Sequence, residues 1–187
     1  MTTRTTSKTG WTMPSLGQDA LWGAAAFEMP PMGTPGRDVL RGGDGVDGIM
    51  GFGGNDTIYG NGGNDAIMGN EGNDKLYGGA GADHFRFDTK LNAKTNVDRI
   101  MDFKPDEDVL ELARSPFSKA GKAGGVLKES AFYVGKKAHD KDDRIIYDKK
   151  TGSLYYDKDG KGGAEQIKFA TLYKNPTIAH DDFVIAY

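Results

Sequence analysis

The chain has no cysteine. No disulfide framework and no thiolate metal site can form, so stability in an oxidising setting has to come from another source, and a bound metal is the candidate. No apolar run approaches the length that spans a bilayer as a helix. The three histidines, His84, His139 and His180, lie far apart, and neither an H-E-x-x-H helix nor a G-x-S-x-G elbow is present. With no cysteine nucleophile either, no catalytic constellation is recognisable and no enzymatic activity is expected. A net charge of −3 gives no electrostatic case for nucleic acid. The start, MTTRTTSKTG, is followed by no hydrophobic core segment; Ala20–Phe27 is short and broken by Gly23, so a cleaved secretory peptide is not expected.

Glycine is abundant: there are 28, of which 17 fall within 33–81, roughly twice the usual share overall. Cut into nines from residue 33, the chain reads GTPGRDVLR, GGDGVDGIM, GFGGNDTIY, GNGGNDAIM, GNEGNDKLY, GGAGADHFR. Six consecutive units keep glycine at the first and fourth positions, aspartate at the sixth and a large apolar residue at the eighth. This is an internal repeat. Positions one to six are too rich in Gly, Asp and Asn for a helix or regular strand and predict a tight turn, with Asn55, Asn64 and Asn73 suited to the left-handed region. Positions seven to nine predict a three-residue strand. Neighbours on a strand face opposite ways, so Leu40, Ile49, Ile58, Ile67, Leu76 and Phe85 point inward. A flexible linker of the same composition has no reason to keep an apolar residue at every eighth position.

One inward side chain per strand cannot hold a domain together, but stacking buries a continuous column. Two units then form one coil of a parallel β-roll, and loops two units apart lie over one another. Asp38, Asp56 and Asp74 stack on one side and Asp47, Asp65 and Asp83 on the other. Stacked carboxylates repel unless a cation sits between them, and carboxylate and carbonyl oxygens suit calcium. Four inter-loop sites follow: 38/56, 56/74, 47/65 and 65/83. The loop glycines Gly36, Gly43, Gly45, Gly54, Gly63, Gly72, Gly79 and Gly81 complete the candidate metal-binding set.

The pattern GGxGxDxUx resembles the calcium-binding nonapeptide of RTX proteins. The succession GADHFRF, NVDRIMDF, DEDVLEL is similar to the segment that follows the repeats in the serralysin-type C-terminal module. That resemblance implies that Asp98 and Asp102 contribute to a terminal calcium site; the alternative is ordinary turn carboxylates. Arg144–Tyr147, Ser153–Tyr156 and Gln166–Phe169 predict a three-stranded meander. Its second turn, DKDGKGG at 157–163, begins like an EF-hand loop but lacks the later ligands, which favours a hairpin turn over an accessory cation site. The stretch from IIYDKKTGSLYYDKDGKGG onward looks like the tail of short rhizobial-type RTX proteins.

The expected fold is all-β: a parallel β-roll over 33–86, then a small antiparallel β capping region over 87–187 that carries the secretion signal. Residues 1–32 are expected to be an arm or a cap, with Trp11, Leu21, Trp22 and Phe27 able to cover the first coil. The final residues, Asp181-Asp182-Phe183-Val184-Ile185-Ala186-Tyr187, resemble the uncleaved signal of type I secretion substrates; an edge strand is the other reading. The expected protein is extracellular, binds calcium, folds on binding it and is exported by a type I secretion apparatus. The alternative is a detached accessory module of a secreted enzyme of protease, lipase or epimerase type. Candidate partners beyond calcium are a surface polysaccharide or a catalytic chain, with no nucleic acid and no membrane span. Outside the roll, position nine stacks Met50 on Met68 and Tyr59 on Tyr77, and at least one of these columns is expected to be covered by residues 87–187 or by a partner.

Overall fold

The computed structural model describes residues 30–187. The arm or cap expected from Trp11, Leu21, Trp22 and Phe27 lies outside the described residues.

Each repeat delivers one short strand: β1 (Val39–Arg41), β2 (Gly48–Met50), β3 (Thr57–Gly62), β4 (Ala66–Met68), β5 (Lys75–Ala80) and β6 (His84–Phe87). Odd and even strands belong to two sheets, because the glycine turns reverse the chain between them. Register is fixed two units apart: Leu40 pairs with Ile58, Ile58 with Leu76, Ile49 with Ile67 and Ile67 with Phe85, all parallel. Position eight faces inward as the alternation requires, and Ile49, Ile58, Ile67 and Phe85 are completely buried between the sheets. Leu40, on the first coil, is only partly buried.

The rest of the chain prolongs both sheets and shares the same core. β7 (Asp98–Ile100) adds in parallel to β5, and β8 (Val109–Ala113) adds in parallel to β6. Beyond them lie β9 (Gly125–Val126), β10 (Phe132–Val134), β11 (Ile145–Asp148), β12 (Ser153–Tyr156), β13 (Ile167–Leu172) and β14 (Phe183–Ala186). The larger sheet runs β1-β3-β5-β7-β13-β12-β11-β10 and the smaller runs β2-β4-β6-β8-β14-β9. The expected meander is β11-β12-β13, antiparallel throughout; β13 continues the roll's parallel ladder through β7. Phe87, Phe117 and Phe169 fill the core where the roll widens, in edge-to-face contacts at 5.0–5.2 Å. The tail strand β14 lies inside its sheet, parallel to β8 and antiparallel to β9, with Phe183 and Ile185 completely buried.

The outer columns form as the register dictates. Met50 pairs with Met68, and Met32 bridges to Met50. Tyr59 stacks on Tyr77 with ring centroids 4.6 Å apart, and the Arg41 guanidinium lies over Tyr59. All four position-nine side chains are partly buried. Residues 87–187 meet the roll through strand pairing: β7 and β13 follow β5, and β8 and β14 follow β6.

Candidate metal centre

The turn halves of the repeats make two ladders of aspartates. In the first, the Asp38 N–H donates to Asp56 Oδ1 (2.8 Å), Asp56 N–H to Asp74 Oδ1 (2.7 Å) and Asp74 N–H to Asp98 Oδ1 (3.0 Å). In the second, Asp47 donates to Asp65 (2.9 Å), Asp65 to Asp83 (3.0 Å) and Asp83 to Asp108 (3.0 Å). One oxygen of each carboxylate is thus committed to a backbone N–H. The other is not: Oδ2 of Asp56, Asp65, Asp74 and Asp83 is buried with no hydrogen-bond partner. A buried carboxylate oxygen left without a donor is costly. Four in register, on stacked loops, make a donor set that fits a hard divalent cation.

The pKa values follow from this packing. Burial raises the carboxyls of Asp56, Asp74 and Asp83, with the ladder N–H groups opposing it. The like charges of Asp74 and Asp38 push Asp56 further up. Burial pushes Asp65 and Asp108 up to about 6. Asp98, fully enclosed and facing Asp74, is raised well above the usual carboxylate range. Without a cation, burial makes the charged form of these interior carboxyls costly.

The glycines hold the loops close. A Cβ on Gly51 would sit 2.5 Å from Asp56 Oδ2 and 2.6 Å from the Gly69 carbonyl; Gly60, Gly69 and Gly78 are equally pressed by their own aspartates. Gly54, Gly63, Gly72 and Gly81 have positive φ, and a Cβ on any of them would run into the carbonyl of Gly36, Gly45, Gly54 or Gly63 one coil away. The carbonyls that share the neighbourhood of the carboxylate Oδ2 atoms are those of the first-position glycines: Gly60 beside Asp47, Gly69 beside Asp56 and Gly78 beside Asp65. The second-position carbonyls of Gly43 and Gly79 are already engaged: Gly43 accepts from Gly62 N–H (3.1 Å) and Gly79 from the Lys104 ammonium (2.6 Å).

Three details differ from expectation. Within the repeats the left-handed residues at non-glycine positions are Phe52, Asn61 and Asn70, at the second position of their units; the fifth-position asparagines are not among them. Those asparagines form a ladder instead, Asn55 Oδ1 accepting from Asn73 N–H, Asn64 Oδ1 from Ala82 N–H and Asn73 Oδ1 from Val97 N–H. Asp98 continues the first column, but Asp102 belongs to neither, its two oxygens accepting from Gly78 and Gly79 N–H at 2.9 and 3.1 Å. Asp108 continues the second column and was not among the expected ligands. Its signal is the Asp-x-apolar pattern of Asp108-Val109-Leu110, matching Asp83-His84-Phe85. In the DKDGKGG turn, Asp159 Oδ2 accepts from Gly163 and Ala164 N–H (3.0 and 3.3 Å), so this carboxylate closes its own hairpin.

A second acidic group, His139, Asp140 and Asp143, brings its ligand atoms within 4.8 Å of one another. Asp143 Oδ2 already accepts from the N–H groups of His139 (2.6 Å) and Asp140 (3.1 Å), and it contacts His139 Nδ1 (2.9 Å). These bonds account for it as a closed turn.

The geometry agrees with comparison to known proteins. The family profile described as RTX calcium-binding nonapeptide repeat (4 copies) matches residues 32–67 and 59–88. No curated protein sequence matches the chain. Among solved structures, the chain is similar to the AlgE6R3 subunit of the Azotobacter vinelandii mannuronan C5-epimerase, at 30% identity and TM-score 0.54, over 81% of this chain and 82% of that one. It is also similar to the AlgE6R2 subunit of that enzyme, at 26% identity and TM-score 0.54, over 86% of this chain and 95% of the other. Two stacked carboxylate ladders, the glycines that let them stack and these matches lead to one conclusion: the chain belongs to the RTX calcium-binding nonapeptide repeat family.

Proposed function

We propose that this protein is a secreted, non-catalytic calcium-binding module whose roll folds when calcium enters the inter-loop sites outside the cell. The observation that carries this reading is the pair of buried, unpartnered carboxylate oxygens in each column, on Asp56 and Asp74 in the first and on Asp65 and Asp83 in the second. Asp38, Asp47, Asp98 and Asp108 close the columns, and the carbonyls of Gly60, Gly69 and Gly78, which lie beside the Oδ2 atoms of Asp47, Asp56 and Asp65, would supply neutral oxygens. Bound calcium would contribute charge neutralisation and coordination; the chain holds the loops in register and excludes water. Extracellular calcium modules bind at roughly 10⁻⁴–10⁻³ M, so the sites fill outside the cell and stay empty where calcium is scarce. The test is circular dichroism during calcium titration, with magnesium as control. A chain folded to the same extent in excess chelator would refute the switch.

Export by a type I apparatus is part of the proposal. Deleting Asp182–Tyr187 is a poor test, because it would remove an interior strand of the smaller sheet and three completely buried residues, Asp182, Phe183 and Ile185. Fusing residues 87–187 to a passenger separates the two roles: export of the fusion supports a signal in that segment, and its retention argues against one.

A second reading, the accessory module of a secreted enzyme, is favoured by the outer face of the larger sheet. Arg41, Lys75, Arg99 and Lys168 stand there with Tyr59 and Tyr77, while the ladder aspartates are drawn into the turns. Flat aromatic and basic surface suits a uronate polysaccharide, and the similar solved structures are subunits of a mannuronan epimerase. Affinity electrophoresis in a polyuronate gel tests it: retardation by wild type, lost in Arg41→Ser/Arg99→Ser, supports this reading, and equal mobility refutes it.

A further inference from the structure

The two aspartate columns end differently. In the first, loop 69–74 rests on residues 92–98: Gly72 N–H donates to Asn96 Oδ1 (3.3 Å), Asp74 N–H donates to Asp98 Oδ1 and the column stops at a completely enclosed carboxylate. In the second, loop 78–83 rests on residues 102–108, where side chains replace the backbone ladder. Higher in the roll, Gly42 N–H donates to the Tyr59 carbonyl (2.8 Å) and the Gly43 carbonyl accepts from Gly62 N–H (3.1 Å). At the end, the equivalent Gly78 N–H donates to Asp102 Oδ1 (2.9 Å), and the equivalent Gly79 carbonyl accepts from Lys104 Nζ (2.6 Å). Lys104 is tied at both ends, since its own N–H donates to Asp108 Oδ2 (2.8 Å). Its ammonium also lies 3.5 Å from Glu107, and its field reaches both Asp83 and Asp108.

We propose that Lys104 is the built-in cation of the 83/108 interval: its ammonium does for the last step of the second column what a calcium ion does for the other intervals. Among the described residues no lysine is so placed at the matching 74/98 interval of the first column, which requires an ion. The columns therefore differ in calcium demand, with three ion-dependent intervals in the first (38/56, 56/74, 74/98) and two in the second (47/65, 65/83). An ammonium is a point charge on a flexible stem. It can neutralise part of a carboxylate pair and satisfy one carbonyl, but it brings no further coordination. It thus holds this end of the roll closed before calcium arrives.

This inference rests on the calcium-switch reading above, and the experiment separates the two. Wild type, Lys104→Met, Lys104→Arg and the double variant Lys104→Met/Asp108→Asn are titrated with calcium under circular dichroism at low ionic strength. Lys104→Met is expected to raise the calcium midpoint of folding by about twofold, because the loss is shared among all the ions bound on folding. Lys104→Arg should stay near wild type. The double variant should recover at least half of the shift, because the carboxylate that Lys104 offsets is gone. If wild type does not respond to calcium, the switch reading fails. If wild type responds but Lys104→Met matches it, or if Asp108→Asn restores nothing, the built-in cation is refuted and Lys104 acts only through its packing. Should Lys104→Met not fold at any calcium level, folding of the double variant supports the charge role, and its failure to fold refutes it.

Discussion

The substitution Asp74→Asn should change sign with calcium. Asp74 lies inside the first ladder, between Asp56 and Asp98, and is completely buried. Asparagine keeps an Oδ1 to accept the Asp56 N–H at 2.7 Å, so the ladder bond survives while the charge goes. In calcium the variant weakens two intervals. At 10 mM calcium, with dissociation constants of roughly 10⁻⁴–10⁻³ M, each filled site contributes about 1.4–2.7 kcal/mol, so losing two costs about 3–5 kcal/mol. For a chain of this size that lowers the melting temperature by roughly 6–20 °C. In excess chelator the balance reverses: a buried charge facing like charges is removed, which stabilises the fold by on the order of 1–3 kcal/mol. Asp38→Asn, at the half-buried outer end and bordering one interval, should lose about half as much in calcium and gain little without it. The assays are thermal melting in calcium and osmolyte-induced refolding in chelator, both followed by circular dichroism at matched ionic strength. Equal losses for the two variants in calcium, or a destabilised Asp74→Asn in chelator, would show that the loops do not share ions along the column.

Three further outcomes are expected. Acid should substitute in part for calcium. Asp65 and Asp108 titrate at about 6 in the metal-free fold, above their unfolded value near 4. Their protonated forms favour folding fully below that unfolded value, and the benefit is lost as pH rises through about 6, so chelated protein should gain structure between pH 7 and pH 5; a metal-free signal flat across that range would contradict this. Phe52→Asn should stabilise the protein by about 0.5–1 kcal/mol in urea unfolding, because Phe52 holds a φ of 68° where two sister positions carry asparagine; no gain would mean that its side chain contributes packing of equal worth. Gly51→Ala should raise the calcium midpoint and also destabilise the chelated fold, since its Cβ would crowd Asp56 Oδ2 and the Gly69 backbone carbonyl whether or not an ion is bound; an unaltered midpoint would place the ion elsewhere.

The repeat made half of this fold legible. Period nine with an inward eighth position determines the two-sheet roll, the register and both aspartate columns down to Asp74 and Asp83. The columns' continuation was harder to see, because the step lengthens from 18 residues to 24 at Asp98 and 25 at Asp108. Extra residues are absorbed in loops that leave the strand in register, so spacing stops reporting on stacking while the Asp-x-apolar pattern persists. With those two residues in place, Asp74 and Asp83 become interior members of their columns. The left-handed positions are not legible in the sequence, because asparagine tolerates that region anywhere in a turn, and only the ladder shows that the fifth-position amides are occupied in accepting N–H groups. Lys104 had no signal: one lysine after Phe103 looks like any solvated charge until the chain returns it to Gly79.

The aspartate ladder has a direction. Every rung sends an N–H from one coil to a carboxylate that lies later in the chain, 18 residues on within the repeats. On this ladder each N–H is satisfied by sequence that follows it, whereas the asparagine ladder runs the other way, from a later N–H to an earlier amide oxygen. A ribosome, or any pore that passes this chain N-terminus first, delivers each aspartate N–H before the carboxylate that secures it. Early rungs must wait, unclosed, for their successors. The last rungs wait longest, because Asp74 and Asp83 are closed only when Asp98 and Asp108 arrive, 24 and 25 residues later.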